Sequence, residues 1–96
     1  MRLELTPEAE ADIDDAAAWY FEEELELGAR FAFEIRRMLD LIIEHPRAWT
    51  EVEPGIRRAV VRHFPYGVFY GVEDGCIEVF AVVHHRRHPA RWRKRR

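Results

Sequence analysis

The sequence predicts an α+β fold of order β-α-α-β-β-β, a helical hairpin packed on a small antiparallel sheet. Three observations carry this reading. Apolar residues recur at helical spacing as far as His45 and at strand spacing after Gly55, and that period separates a helix face from a sheet face. Thr6-Pro7-Glu8 is a helix start, with an N-capping hydroxyl, proline at the first helical position and acids that suit the positive end of the helix. Asp74-Gly75 lies between two apolar runs and supplies the positive φ that a two-residue hairpin needs.

Taken in order, Arg2 to Leu5 (RLEL) alternates and reads as a short edge strand. Ala9, Ile13, Ala16, Ala17 and Tyr20 then share one face, which gives an amphipathic helix over residues 7–23. The acidic run from Glu22 to Leu27 reads as a break, with Gly28 near the turn. A second helix covers 28–44. Its stripe is Ala32, Ile35, Leu39 and Ile42, broadened by Phe31, Met38 and Ile43. His45-Pro46 ends it, because a residue before proline disfavours the helical region. Residues around Glu53-Pro54-Gly55 read as a loop. Strands follow at 57–64, at 66–72 after the Pro65-Tyr66 bend, and at 76–84. Helices on one face of such a sheet leave its other face free.

Ninety-six residues form one domain, 1–96, with a basic tail at about 89–96. An apolar content of 48% suits a folded core. No apolar run approaches the ~20 residues of a membrane span, and no signal-peptide pattern is present. Cys76 is the only cysteine, so an internal disulfide and a cysteine-based zinc site are excluded. A reduced, cytoplasmic setting is expected. The net charge of −3 conceals an asymmetry: residues 1–55 hold 15 acids and five arginines, while residues 56–96 hold three acids and ten basic groups. Either the two halves merely attract one another, or the basic half meets an anionic partner.

The stretch from Phe80 to Trp92 (FAVVHHRRHPARW) concentrates the candidate chemistry. An apolar strand runs directly into His84, His85, Arg86, Arg87 and His88, which places titratable and cationic groups at a sheet end, where sites are commonly built. A metal site is not expected, since these histidines leave a strand with no carboxylate beside them in sequence, and no cofactor is expected. Serine is absent, which removes serine-hydrolase chemistry, and there is no glycine-rich phosphate loop. A metal-free ribonuclease needs a base, an acid and cations for the phosphorane. Arg62, His84, His85, Arg86 and Arg87 are its candidates, with Tyr66 or Tyr70. Tyr70 fits a core role better. Strand alternation puts His63 and Arg62 on opposite faces, and likewise His84 and His85, so one of the latter pair is expected to cap or pack. Trp92 either pins the tail to the sheet or stacks on a partner, and the tail is otherwise solvated.

These residues together resemble the RelE/ParE superfamily of toxins from type II toxin–antitoxin modules. The resemblance is carried by Leu5 to Asp12 (LTPEAEAD), Trp19-Tyr20, Pro46, Arg57-Arg58, Phe64-Pro65-Tyr66 through Tyr70, and His84 to Pro89 before Trp92. It implies a compact toxin, of the kind linked to plasmid stabilization, held inactive by a cognate antitoxin that wraps around it. The superfamily divides by target. RelE-like members are ribosome-dependent mRNA endonucleases and look strongly basic after the second helix. Here that region reads Thr50-Glu51-Val52-Glu53, Lys94 is the only lysine, and Gly67 and Trp92 stand where such enzymes tend to carry arginine and tyrosine. The departures favour the ParE-like branch, implicated in poisoning DNA gyrase. The resemblance implies Arg57, Arg58, Arg62, Arg86, Arg87 and Trp92 as partner-binding residues, with no membrane and no sequence-specific DNA contact. A degenerate member that keeps the antitoxin but not the toxicity is the third reading.

Overall fold

The computed structural model describes residues 1–96. Strand β1 (Arg2–Leu5) leads into helices α1 (Pro7–Glu23) and α2 (Leu25–Glu44). Strands β2 (Thr50–Glu53), β3 (Ile56–Val60), β4 (Tyr66–Glu73) and β5 (Cys76–His84) follow, and a 3₁₀ segment (Arg91–Arg95) closes the chain. The sheet has the order β1-β5-β4-β3-β2. It is mixed rather than purely antiparallel, because β1 runs parallel to β5 at the edge. The helical hairpin covers one face.

The local signals account for most boundaries. Thr6 caps α1, its Oγ1 accepting from the Ala9 N–H at 3.1 Å. Asp74 and Gly75 both take positive φ, 51° and 73°, between β4 and β5. Three boundaries differ from expectation. First, the break falls in the glutamate run as expected but is a single residue long, and the residues on either side stay helical because glutamate and leucine are good helix formers. Only Glu24 lies between α1 and α2, in extended conformation. Gly28 is inside α2, where a Cβ would overlap the Phe21 ring of α1, so its role is close packing across the hairpin. Second, Thr50–Glu53 forms strand β2, joined to β3 by a turn in which Gly55 takes φ 80° after Pro54. Third, β3 stops at Val60. Arg62 and His63 lie in a tight turn, His63 at φ 67°, so strand alternation does not apply to them.

Two cores sandwich the sheet. The inner one joins the helices to Ala59, Val61, Val68, Tyr70, Ile77, Val79 and Val82. Tyr20, Phe31, Phe64 and Tyr66 form its aromatic end, with ring centroids 5.0 to 6.3 Å apart. The outer face is not free. Trp92 folds back from the 3₁₀ segment and stacks on Phe69 at 4.8 Å, joining Phe80, Ala81 and Val83. A β-bulge explains why Phe80 and Ala81 both face outward: Phe69 pairs with Ala81 but Tyr70 with Val79, leaving Phe80 unpaired.

Candidate functional site

The end of β5 separates the two adjacent histidines as the pleat requires. His84 turns inward and its ring lies edge-on to Tyr66 at 5.2 Å. Its Nδ1 accepts the backbone N–H groups of Arg86 and Arg87 at 3.1 and 3.2 Å, so it caps the turn that leaves the sheet. Burial, then Arg87 and the neighbouring His85, His88 and Arg86, hold its pKa below the usual imidazole value. A neutral ring whose Nδ1 accepts carries its proton on Nε2. His84 therefore presents a donor, not a base, to the space in front of it.

That space is a crevice of about 210 Å³ between α1 and the end of β5, reached by Asp15, Trp19, Tyr66, His84, Arg87 and Arg91. Trp19 is 43% exposed, and the Arg87 guanidinium lies 4.9 Å from its ring centroid. Burial raises the pKa of Tyr66, an effect that Arg87 and Arg91 oppose, so its hydroxyl stays protonated at neutral pH.

At the floor of the crevice, Asp12 of α1 is a buried carboxylate that the pattern of basic and acidic halves did not single out. It accepts the Val82 N–H at 2.9 Å. It also receives two N–H groups from Arg95, at 2.5 and 3.0 Å, and one from Arg91 at 3.3 Å. Arg95 further donates to the Phe80 carbonyl at 3.0 Å, and its hydrogen bond to Asp12 raises its pKa. Pairing of β1 with β5 ends at Leu5 and Val79. Beyond that point Asp12 and Arg95 satisfy the β5 edge in place of a strand, which answers the cost of leaving such groups unpaired. Arg93 pairs with Glu53 and Arg96 with Glu78. The tail is thus folded and latched, not solvated.

Of the expected site residues only Tyr66, His84 and Arg87 share the crevice. Arg57 is committed internally, donating to the carbonyls of Arg47 and Trp49 and pairing with Glu51. Trp92 is buried against Phe69 and pins the tail to the sheet. Tyr70 is fully buried and donates to the Pro46 carbonyl at 2.7 Å, with its pKa pushed up to about 12, mainly by burial. Arg62 and Arg86 are exposed and line neither the crevice nor the cleft across the sheet. Arg87 and His84 reach the inner crevice, whereas Arg58 and His85 lie together on the outer face over Gly67. Sequence proximity was the only link between these groups, and the sheet cuts through it. Asp12 was missed, although its position on the buried Ala9–Ala16 face of α1 is a readable cue. No group of three His, Cys, Asp or Glu side chains is placed to hold a metal, and no helix is long and apolar enough to cross a membrane.

A helical hairpin on a five-stranded sheet, with a cationic strand end and a folded-back tail, defines the class as a small two-layer α+β domain. The family model for the ParE toxin of the type II toxin–antitoxin system parDE matches residues 3–89, and the chain belongs to this family. The fold is shared with a solved structure of the chromosomal ParDE TA system from P. aeruginosa, at a TM-score of 0.76 and 19% identity, over 88% of this chain and 95% of that one. A comparison with curated proteins gives no match.

Proposed function

We propose that this ParE-family chain acts in the cytoplasm by binding DNA gyrase and is neutralised by a co-encoded antitoxin. The observation that carries binding over catalysis is the division of the candidate nuclease residues. His84, Arg87 and Tyr66 face one side of the sheet, His85 the other, and Arg62 and Arg86 line neither space. A ribonuclease needs base, acid and cations within reach of one phosphate. Here the inward histidine offers only a donor, the Tyr66 hydroxyl beside it stays protonated, and Tyr70 is sealed in the core, so none of these candidates supplies the base. The gyrase assignment itself rests on the resemblance to the ParE-like branch.

The antitoxin surface is the second part of the proposal. The hairpin leaves Trp19, Phe21, Leu25 and Phe33 between 42% and 76% exposed. Arg87, which lies over exposed Trp19, and exposed Arg62 and Arg86 hold no salt bridge, and together with these apolar groups they suit a partner that is both apolar and acidic. Its dissociation should depend partly on salt.

Two assays decide the target. Purified chain is added to a gyrase supercoiling reaction and, separately, to translating ribosomes with transcripts mapped by primer extension. Inhibited supercoiling with uncut transcripts is the expected result. Site-specific transcript cuts that vanish in Arg86→Ala would overturn the proposal in favour of the ribosome-dependent nuclease. Neither effect, with the antitoxin still bound, would point to a member that has lost toxicity.

A further inference from the structure

The outer face of the sheet carries a cleft of about 260 Å³, with apolar walls from Val60, Phe69, Pro89 and Trp92 and with Arg58 and His85 as its polar groups. Arg58 is unusual. Arg57, Arg91 and Arg95 are also half-buried, and each holds acceptors. Arg58 makes no salt bridge and no side-chain hydrogen bond, and its buried Nε has no partner. A guanidinium partly stripped of water without an acceptor is destabilising, and such a group calls for an account.

The geometry around Arg58 prepares a site. A Cβ on Gly67 would lie 3.1 Å from Arg58 Cγ and 3.3 Å from His85 Cε1. Glycine therefore lets both side chains lie together across β4. The folded-back tail supplies Trp92 and Pro89 as the opposite wall. Burial, then the charge of Arg58, lower the His85 pKa, so at neutral pH the cleft holds one fixed positive charge. No carboxylate lines it.

We propose that this cleft binds a single carboxylate carried on an apolar body, presented by an acidic segment of a protein partner. One guanidinium with a neutral imidazole matches a monoanion, whereas a phosphate recruits several cations. The volume falls below the ~300–1,000 Å³ of typical small-molecule sites, so it fits one side chain rather than a nucleotide. The buried Nε is beyond a ligand's reach, so the carboxylate takes N–H donors from the two Nη atoms, which carry four. The protein source of the carboxylate rests on the partner reading above; the site itself does not.

Nuclear magnetic resonance on labelled protein tests the site. The Trp92 indole N–H and the His85 Cε1–H are followed while sodium isovalerate is titrated, with isovaleramide and inorganic phosphate as parallel probes. Saturable shifts with isovalerate and none with isovaleramide are expected. Arg58→Gln should weaken binding on the order of tenfold or more, as for loss of a hydrogen bond to a charged group. Gly67→Ala should weaken it as well. Retained dispersion of the core resonances confirms that each variant is folded. No saturable shift with isovalerate overturns the site, and phosphate binding more tightly than isovalerate overturns the carboxylate assignment. The partner is tested by co-purification with the neighbouring reading frame's product. Equal retention by wild type and Arg58→Gln overturns the partner as the source of the carboxylate. No retention by wild type overturns the antitoxin reading along with it.

Discussion

Replacing Asp12 by alanine tests the tail latch most directly. The Asp12 side chain is 5% exposed, and its loss leaves the Val82 N–H and the Arg91 guanidinium without their acceptor and Arg95 with only the Phe80 carbonyl. Removing one member of a buried ion pair costs ~3–5 kcal/mol. Arg95 is 20% and Arg91 37% exposed, so both regain some water once the carboxylate is gone. The low end, about 3 kcal/mol, is therefore expected. At ~4–8 °C per kcal/mol for a domain of this size, the melting temperature should fall by roughly 12–24 °C. Thermal unfolding followed by circular dichroism reads the change, and Trp92 fluorescence reports release of the tail. Asp12→Asn keeps an acceptor for Val82 and should fall between alanine and wild type. Arg95→Ala added to Asp12→Ala should cost less than it does alone, because the pair is already broken. A loss of less than about 5 °C in Asp12→Ala, or strict additivity in the double variant, would refute the latch.

Other outcomes follow from the same geometry. Deleting residues 91–96 should expose Phe69 and Phe80 and unpair Asp12, so the domain should lose stability in a urea titration. Burial depresses the pKa of both His84 and His85. The unfolded chain therefore binds more protons below about pH 6.5, and stability should be fully present above that value and decline as the pH falls below it. A urea midpoint that held constant or rose over that range would contradict this; His84→Asn, which keeps a capping acceptor, should flatten the decline. Tyr70→Phe loses the bond to the Pro46 carbonyl and should cost about 1 kcal/mol by urea unfolding. Gly28→Ala should destabilise the hairpin despite the usual ~1 kcal/mol helical preference for alanine, because Phe21 must move. A gain in melting temperature would show that Phe21 yields freely.

The fold was largely legible because its elements carry local signals. Thr6-Pro7, His45-Pro46 and Asp74-Gly75 each fix a boundary through the backbone of neighbouring residues. Strand β2 was not legible, since Val52 is its only apolar residue and its pairing with β3 is set by a turn whose product the Pro54-Gly55 dipeptide does not specify. The site was half legible. Period-2 alternation correctly assigned one of His84 and His85 to capping, and the size of Trp92 suggested its pinning role. The commitments of Arg57 and Arg95 were invisible, because a guanidinium finds its acceptor in three dimensions: Arg95 and Asp12 are 83 residues apart. Gly67 looked like a missing arginine, yet in the fold its lack of a side chain makes room for the arginine of the neighbouring strand.

The edge of β5 beyond Val79 has a consequence for what truncation would do. Its Val82 N–H and Phe80 carbonyl are closed by an early residue, Asp12, and a late one, Arg95. A chain cut before Trp92 keeps only the first half of that closure. It presents an open strand edge beside Phe69 and Phe80, which the tail otherwise covers, the kind of surface on which strands from other chains add. Loss of these few residues should therefore show as self-association, and not only as a lower melting temperature.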